Sequence, residues 1–193
     1  MNETYKAMTE CAAEAVRVAG KVRGELLDGP TTCAEFDLRA LVNHWVLYTS
    51  YGLERRALKQ PLPEELVARD FTAEDGWAAA YAAQLDRALQ AWADPAAWEG
   101  EIPLGDGRTG AAPQIAALIV KEMAVHGWDV ARSIGEDFAI SDDSAAVVLH
   151  VVEENAELYR QYQGFAAPVE VPASAPLFTR ALALSGRDPH QTV

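Results

Sequence analysis

The most informative part of the chain is the segment PQIAALIVKEMAVHGWDVARSIG, residues 113–135. Its apolar side chains recur every three or four residues, which predicts an amphipathic helix. Proline suits the first turn of a helix and glycine its end, so the helix is predicted to begin at Pro113 and to stop at Gly135. The apolar stripe begins with Ile115, Leu118 and Ile119. It then reaches Glu122 and His126, where further core residues would be expected.

Glu122 and His126 form the first candidate site. Four residues of helix correspond to roughly 400° of rotation and roughly 6 Å of rise, so the two side chains lie on one face, one turn apart. A carboxylate among core residues is costly without a charged partner, and a divalent metal ion would be such a partner. A plain hydrogen bond to the histidine is the alternative, and the spacing leaves both open. Asp129 lies near the same face, where it could orient His126 or form a salt bridge at the helix end.

A second histidine, His44, lies in another apolar segment, LVNHWVL, residues 41–47. Together with Glu122 and His126 it would complete a set of two histidines and one carboxylate. Zinc, nickel and ferrous iron accept these ligands, and three protein ligands leave a position open for water or substrate. His44 is distant in the sequence, so spacing cannot test its place in the site. A histidine in an apolar helix is often a satisfied core residue.

The pattern of the whole chain predicts an all-α helical bundle, in which metal sites are commonly built between facing helices. Besides the segment already described, helices are predicted at residues 3–27, 37–59, 72–92 and 142–162, with a short one at 177–184. The turn residues of EIPLGDGRTG, residues 101–110, favour a small hairpin or an ordered loop. Residues 1–193 are predicted to form one domain with a short tail from about residue 169.

Composition argues against several partners. The chain has 193 residues and a formal net charge of −13, so it offers no basic surface for nucleic acid or for acidic membranes. Its sequence shows neither an apolar run long enough to span a membrane nor the pattern of a signal peptide. Two cysteines, Cys11 and Cys33, are too few for a disulfide framework. A cytoplasmic location is therefore expected.

The remaining candidate residues carry weaker signals. His150 lies in VLHVV, residues 148–152, and is predicted to point inward as a structural residue. Cys33 precedes the His44 segment and could approach the site. It lacks an activating neighbour in the sequence and is interpreted as a packing residue. The sequence contains no phosphate-binding glycine loop, nucleophile elbow or His-Glu-x-x-His motif.

Three segments give the chain a family resemblance: LVNHW at 41–45, EMAVHGWDVAR at 122–132 and LALSGRDP at 182–189. Through these segments the chain resembles the DinB/YfiT-like metal-binding proteins, in the actinobacterial branch related to the N-terminal domain of mycothiol-dependent maleylpyruvate isomerase. The resemblance implies a DinB-like bundle with a four-helix core and extra short helices. It also implies a divalent metal, with zinc expected first and nickel or iron as alternatives. The isomerase branch uses histidine, glutamate and histidine, which here fall on His44, Glu122 and His126.

The resemblance also implies a function. This function is metal-dependent transfer or isomerisation on a small electrophile, with a low-molecular-weight thiol of the mycothiol type as cosubstrate. A non-catalytic metal- or ligand-binding protein and a metal-dependent hydrolase are the alternatives. Only a short tail follows residue 169, where the isomerase has a further domain that contributes to its active site. A related reaction is therefore expected rather than maleylpyruvate isomerisation.

The resemblance bears on partners as well. The expected partners are a small-molecule substrate and, as the resemblance to this superfamily implies, a second copy of the chain in a homodimer. An arginine such as Arg132 or Arg180 could hold a substrate carboxylate, and the sequence does not choose between them. The native metal, the thiol and the reaction stay open at this point.

Overall fold

The computed structural model describes residues 2–33, 36–105 and 107–191. Most of these residues are helical, which confirms the predicted fold class. The α-helices are α1 (Glu3–Ala19), α2 (Leu38–Val46), α3 (Gly52–Ala57), α4 (Glu64–Val67), α5 (Trp77–Ala93), α6 (Ala112–Ser133), α7 (Asp142–Gln161) and α8 (Leu177–Leu184). A π-helical turn, Leu47–Tyr51, joins α2 to α3, so residues 38–57 form one continuous helical segment.

The core lies between this continuous segment and the long helices α1, α5, α6 and α7. α6 contacts α1, α2, α3 and α7, which places it at the centre of the bundle. Two buried indoles form hydrogen bonds between the segment 38–57 and the helices α5 and α6. Trp45 donates to the backbone oxygen of Met123 (3.1 Å), and Trp92 donates to that of Leu53 (2.9 Å). Each large ring thus stabilises the core by burying apolar area while its N–H keeps a hydrogen bond.

The predicted hairpin is present. Its strands, β1 (Glu101–Gly105) and β2 (Arg108–Ala111), pair antiparallel. Asp106, which belongs to the predicted Gly-Asp-Gly turn, lies outside the described residues. Since β2 runs directly into α6, the hairpin covers the start of that helix, and Leu104 and Ile115 line a common cavity there.

The predicted end of the first helix is wrong. α1 ends at Ala19 rather than near residue 27, and a separate 3-10 turn follows at Gly24–Leu26. Glycine is a poor helix residue, and Gly20 caps the helix. The apolar spacing continues past it only because Val22 and Leu26 also pack against the core.

The predicted start of the third helix is also wrong. α5 begins at Trp77 rather than near residue 72, and a 3-10 turn at Phe71–Ala73 takes its place. Asn43 of α2 holds this turn, because its side-chain oxygen accepts from the Phe71 N–H (2.6 Å) and its amide donates to Asp70 (2.8 Å). This contact joins distant parts of the chain, so local spacing could not show it.

The C-terminal segment folds back on the bundle. α8 packs along α7, and the N–H of Val169 donates to the backbone oxygen of Ala183 (2.9 Å). The predicted bounds of this last helix, 177–184, are confirmed. None of the described helices combines the length and the apolar character that crossing a bilayer requires.

Candidate metal centre

α6 presents three of the candidate side chains on one side. Glu122 and His126 lie one turn apart, with 3.3 Å between Glu122 Oε2 and His126 Nε2. Asp129 follows within the next turn, and its Oδ2 lies 3.0 Å from His126 Nδ1. His126 therefore has a carboxylate at each ring nitrogen. Burial lowers the pKa of His126, but the hydrogen bonds with Asp129 and Glu122 outweigh it and raise the pKa above its usual value.

His44, on α2, completes the cluster from the facing helix. Its Nε2 lies 3.8 Å from Glu122 Oε2, and its ring is nearly perpendicular to that of His126, with centroids 5.0 Å apart. The ligand atoms of His44, Glu122 and His126 all lie within 4.8 Å of one another. The rings of Phe36 and Tyr48 pack against the His44 ring, with centroid-to-centroid distances of 5.4 and 4.7 Å. The three side chains singled out in the sequence thus converge between α2 and α6.

Asp129 anchors a buried network behind His126. Its fully buried carboxylate accepts hydrogen bonds from Thr32 Oγ1 (3.0 Å) and from Arg187, whose Nη2 lies 2.9 Å from Oδ2. Burial raises the pKa of Asp129, but Arg187 and His126 outweigh it and lower the pKa to about 2. Because Asp129 is an ionised acceptor, it accepts a hydrogen bond from His126 Nδ1–H and holds His126 Nε2 toward Glu122. Asp129 therefore contacts both His126 and Arg187.

Glu122 has a second charged partner, Lys121. The Lys121 side chain is only 2% exposed, its ammonium contacts Glu122 Oε1, and it lies 4.1 Å from the centroid of the Tyr159 ring. Burial raises the pKa of Glu122, but Lys121 and the two histidines outweigh it and hold the pKa well below its usual value. A metal ion is thus not required to compensate Glu122, contrary to the argument from its position among core residues. Lys121 occupies Oε1, and Oε2 faces the histidines.

Two cavities reach the cluster. One, of about 280 Å³, is lined by His44, Glu122 and apolar residues of the hairpin and α6. The other, of about 170 Å³, is lined by the same two residues together with His126, Cys33 and Arg187. The candidate ligands are therefore open to small molecules rather than sealed in the core.

Two weaker candidates have different outcomes. Cys33 approaches the site, as the sequence suggested, and its sulfur lies within 4.8 Å of ligand atoms of His126 and Asp129. The prediction that His150 points inward is wrong, because its side chain is 69% exposed and lies 3.5 Å from Glu154. The buried face of α7 is formed by its neighbours in the helix, among them Val148, Leu149, Val151 and Val152.

Neither arginine singled out in the sequence lines the two cavities at the cluster. Arg180 pairs with Glu153 at the surface (3.7 Å), and Arg132 donates to the backbone oxygen of Gln191 (2.9 Å). Arg187, a residue of the Gly-Arg-Asp-Pro segment, reaches the network around the cluster instead.

Comparisons with known proteins bear on the family and the fold. The sequence profile described as mycothiol maleylpyruvate isomerase N-terminal domain matches residues 8–131. The chain belongs to this family. A solved structure, a histidine-to-alanine mutant of the mycothiol-dependent maleylpyruvate isomerase, has a TM-score of 0.64 at 16% sequence identity, over 90% of this chain and 77% of that chain. Comparison with curated proteins gives no significant match.

The range matched to the mycothiol maleylpyruvate isomerase N-terminal domain family contains the three candidate ligands and Asp129, but not Arg187. Sequence reasoning missed Lys121, Thr32 and Arg187. A signal existed for Lys121, because it directly follows an apolar run, residues 115–120, in the same helix. Thr32 and Arg187 are distant from α6 in the sequence, and only the fold brings them to Asp129.

Proposed function

We propose that the chain is a divalent-metal-dependent enzyme that uses a low-molecular-weight thiol, of the mycothiol type, to transfer or isomerise a small electrophile. The observation that carries this proposal is the convergence of His44, Glu122 and His126 where two cavities meet. Family membership supports the thiol, as does the name of the structural relative, a mycothiol-dependent isomerase.

The donor set suits a metal ion. Two imidazole nitrogens and one carboxylate oxygen are ligands that zinc, nickel and ferrous iron accept, and zinc is the first expectation. Histidines that bind metal usually donate their other ring N–H to a carboxylate or carbonyl. His126 has such a partner in Asp129. Three protein ligands also leave positions for a thiol and a substrate, which is typical of catalytic rather than structural sites.

Each neighbouring side chain has a role in this proposal. A bound divalent cation would lower the pKa of a coordinating thiol. Asp129 orients His126, and Lys121 holds Oε1 of Glu122 so that Oε2 stays directed at the histidines. The two cavities would admit the two small molecules, and their apolar walls would limit the access of water to the reacting groups.

The test is turnover at defined metal and thiol contents. Protein purified without an affinity tag is stripped with a chelator and reloaded with zinc or nickel. It is then incubated with chlorodinitrobenzene as electrophile and with mycothiol or glutathione, and product is measured by mass spectrometry. Thiols also displace chloride from chlorodinitrobenzene without a catalyst, so the rate of a protein-free mixture is subtracted. A rate above this background should appear only when both metal and thiol are present. Glu122→Gln should abolish it, whereas Glu154→Gln, a change at an exposed carboxylate beside His150, should leave it unchanged.

Other outcomes would assign the alternatives. Metal binding without thiol-dependent turnover of any electrophile tried would favour a non-catalytic metal- or ligand-binding protein. Metal-dependent cleavage of esters or amides without a thiol would favour a hydrolase. Full activity after complete removal of the metal would contradict the proposal.

A further inference from the structure

The larger cavity beside the cluster has an apolar wall. Its volume of about 280 Å³ lies near the lower end of the roughly 300–1,000 Å³ that is typical of small-molecule sites, so it suits one small ligand. The wall is formed by Leu62, Leu104, Ile115, Leu118 and Ile119. His44 and Glu122 of the candidate metal centre also line this cavity, so a ligand bound in it would contact the centre directly.

Two arginines of α3, Arg55 and Arg56, line the same cavity. They lie about three turns after His44 on the continuous helical segment 38–57. Because helical side chains lean toward the N-terminus of their helix, both can extend back along the cavity toward His44. The apolar wall and the arginines thus belong to one ligand-sized space.

These two arginines lack the partners that most arginines of this protein have. Among the ion pairs between described residues, eight other arginines pair with a carboxylate. Arg55 instead donates to the side-chain oxygen of Gln60 (2.6 Å), and Arg56 donates to the backbone oxygen of Pro103. Within the described part of the chain, neither guanidinium has a carboxylate at ion-pair distance.

The absence of a carboxylate is informative in this chain, which has 29 acidic and 16 basic residues. A half-buried guanidinium loses water, and burial lowers the pKa of Arg56, an effect that Tyr48 offsets only in part. An anionic ligand group would supply the missing partner through charge-assisted hydrogen bonds, for which the planar guanidinium is well shaped.

We infer that this cavity binds a small ligand with an apolar body and a single carboxylate, with the carboxylate at Arg55 and Arg56. The body would lie on the wall formed by α6 and the hairpin, and its far end would reach His44 and Glu122. The inference rests on the proposed function in one respect only, namely that this ligand is the electrophilic substrate. The binding of the ligand stands on the cavity and the two arginines alone.

Isothermal titration calorimetry with phenylbutyrate as the probe tests this inference. Phenylbutyrate should bind, whereas the neutral phenylbutanol and the small dianion succinate should bind much more weakly, because each lacks one of the two features. Phenylbutyl phosphate is the competing anion, and tighter binding of it than of phenylbutyrate would overturn the assignment to a carboxylate. Arg56→Met should weaken phenylbutyrate binding about tenfold or more, the size expected for a lost charge-assisted hydrogen bond. The matched control is Arg87→Met, at an exposed arginine outside the cavity.

A second variant keeps the test decisive if Arg56→Met folds poorly. Ile119→Phe should fill the cavity and reduce binding of phenylbutyrate and phenylbutanol alike, while thermal unfolding checks that the variant is folded. Equal affinity of the wild-type protein for phenylbutyrate and phenylbutanol would overturn the inference. Unchanged binding in Arg56→Met would overturn it as well, and so would the absence of phenylbutyrate binding.

This experiment separates the two proposals, because it needs neither metal nor thiol. Arginine-dependent binding of phenylbutyrate in a protein without thiol-dependent turnover would uphold the ligand site and reject the proposed function. Thiol-dependent turnover in a protein that does not bind phenylbutyrate would uphold the proposed function and reject the ligand site.

Discussion

At Glu122, one carboxylate has two kinds of partner. Its Oε1 contacts the buried ammonium of Lys121, and its Oε2 faces His44 and His126. In the absence of a metal, Lys121 is the largest source of positive charge beside this carboxylate. A bound cation would share that role. The free energy of unfolding should therefore depend on Lys121 most strongly when no metal is bound.

Lys121→Met tests this dependence, since it removes the ammonium and keeps an apolar stem near Tyr159. The unfolding free energy of the metal-free protein should fall by about 2 kcal/mol, because the partly exposed Glu122 carboxylate loses a charged hydrogen-bond donor and keeps only the histidines. Zinc should restore much of this loss, since it binds the folded state and supplies positive charge. Urea unfolding with and without zinc measures both effects, with the exposed Lys21→Met as control. An equal loss in the two metal states would contradict the role assigned to Lys121.

The variant Arg187→Met tests the buried network of Asp129, Thr32 and Arg187 behind His126. Its guanidinium pairs with the fully buried Asp129, so Arg187→Met should lower the unfolding free energy by about 3 kcal/mol. Arg180→Met, which breaks a surface pair with Glu153, should cost less than about 1 kcal/mol.

Chemical denaturation compares these two variants with the double variant Arg187→Met, Asp129→Asn. The double variant should be more stable than Arg187→Met alone, because it removes the buried charge that has lost its guanidinium partner. Similar losses for Arg187→Met and Arg180→Met would show that the buried pair contributes no more than a surface contact.

Among the elements, the sequence predicted those whose ends carry local signals. α6 has Pro113 in its first turn, α7 is capped by Ser141, and α8 has the predicted bounds. The end of α1 and the start of α5 could not be predicted in the same way. The turn before α5 depends on Asn43, which is distant in sequence, and the apolar spacing after Gly20 belongs to a separate turn.

α1 and α7 are joined by a carboxylate that local spacing does not reveal. Glu10 of α1 accepts hydrogen bonds from the Ser141 N–H (2.7 Å) and the Ser141 hydroxyl (2.6 Å), and also from the Ser144 hydroxyl. Burial raises the pKa of Glu10, but these hydrogen bonds outweigh it and lower the pKa below its usual value of 4.5. The ionised form is thus bound more favourably in the folded protein than in the unfolded chain.

A pH series follows from this contact. Because the folded-state pKa of Glu10 is depressed, its contribution to stability is present above about pH 4.5 and is lost as the pH falls through the folded-state value. Glu10→Gln should be less stable than the wild type at neutral pH and should lose less stability on acidification. Urea unfolding between neutral and acidic pH measures this, with the exposed Glu170→Gln as control. Parallel pH curves for wild type and Glu10→Gln would contradict the assignment.

On the scale of the molecule, the candidate centre and the network around it bring together four parts of the chain. These are the segment at Thr32, helix α2, helix α6 and the segment after α8 that contains Arg187. Helix spacing and a family resemblance were enough to single out His44, Glu122 and His126. Their surroundings could not be predicted, because Thr32 and Arg187 meet Asp129 only when both ends of the chain pack on α6. The burial of the Lys121 ammonium likewise depends on rings from α7 and from the segment after it.

The central claim is that His44, Glu122 and His126 together hold a divalent metal. Elemental analysis of protein purified without an affinity tag, followed by zinc titration after chelation, tests it on the wild type, His44→Ala and His150→Ala. The wild type and His150→Ala, a change at an exposed histidine, should each bind about one zinc per chain, and His44→Ala should lose it. Zinc bound by His44→Ala as tightly as by the wild type would contradict the claim, as would a wild type that binds no zinc or nickel.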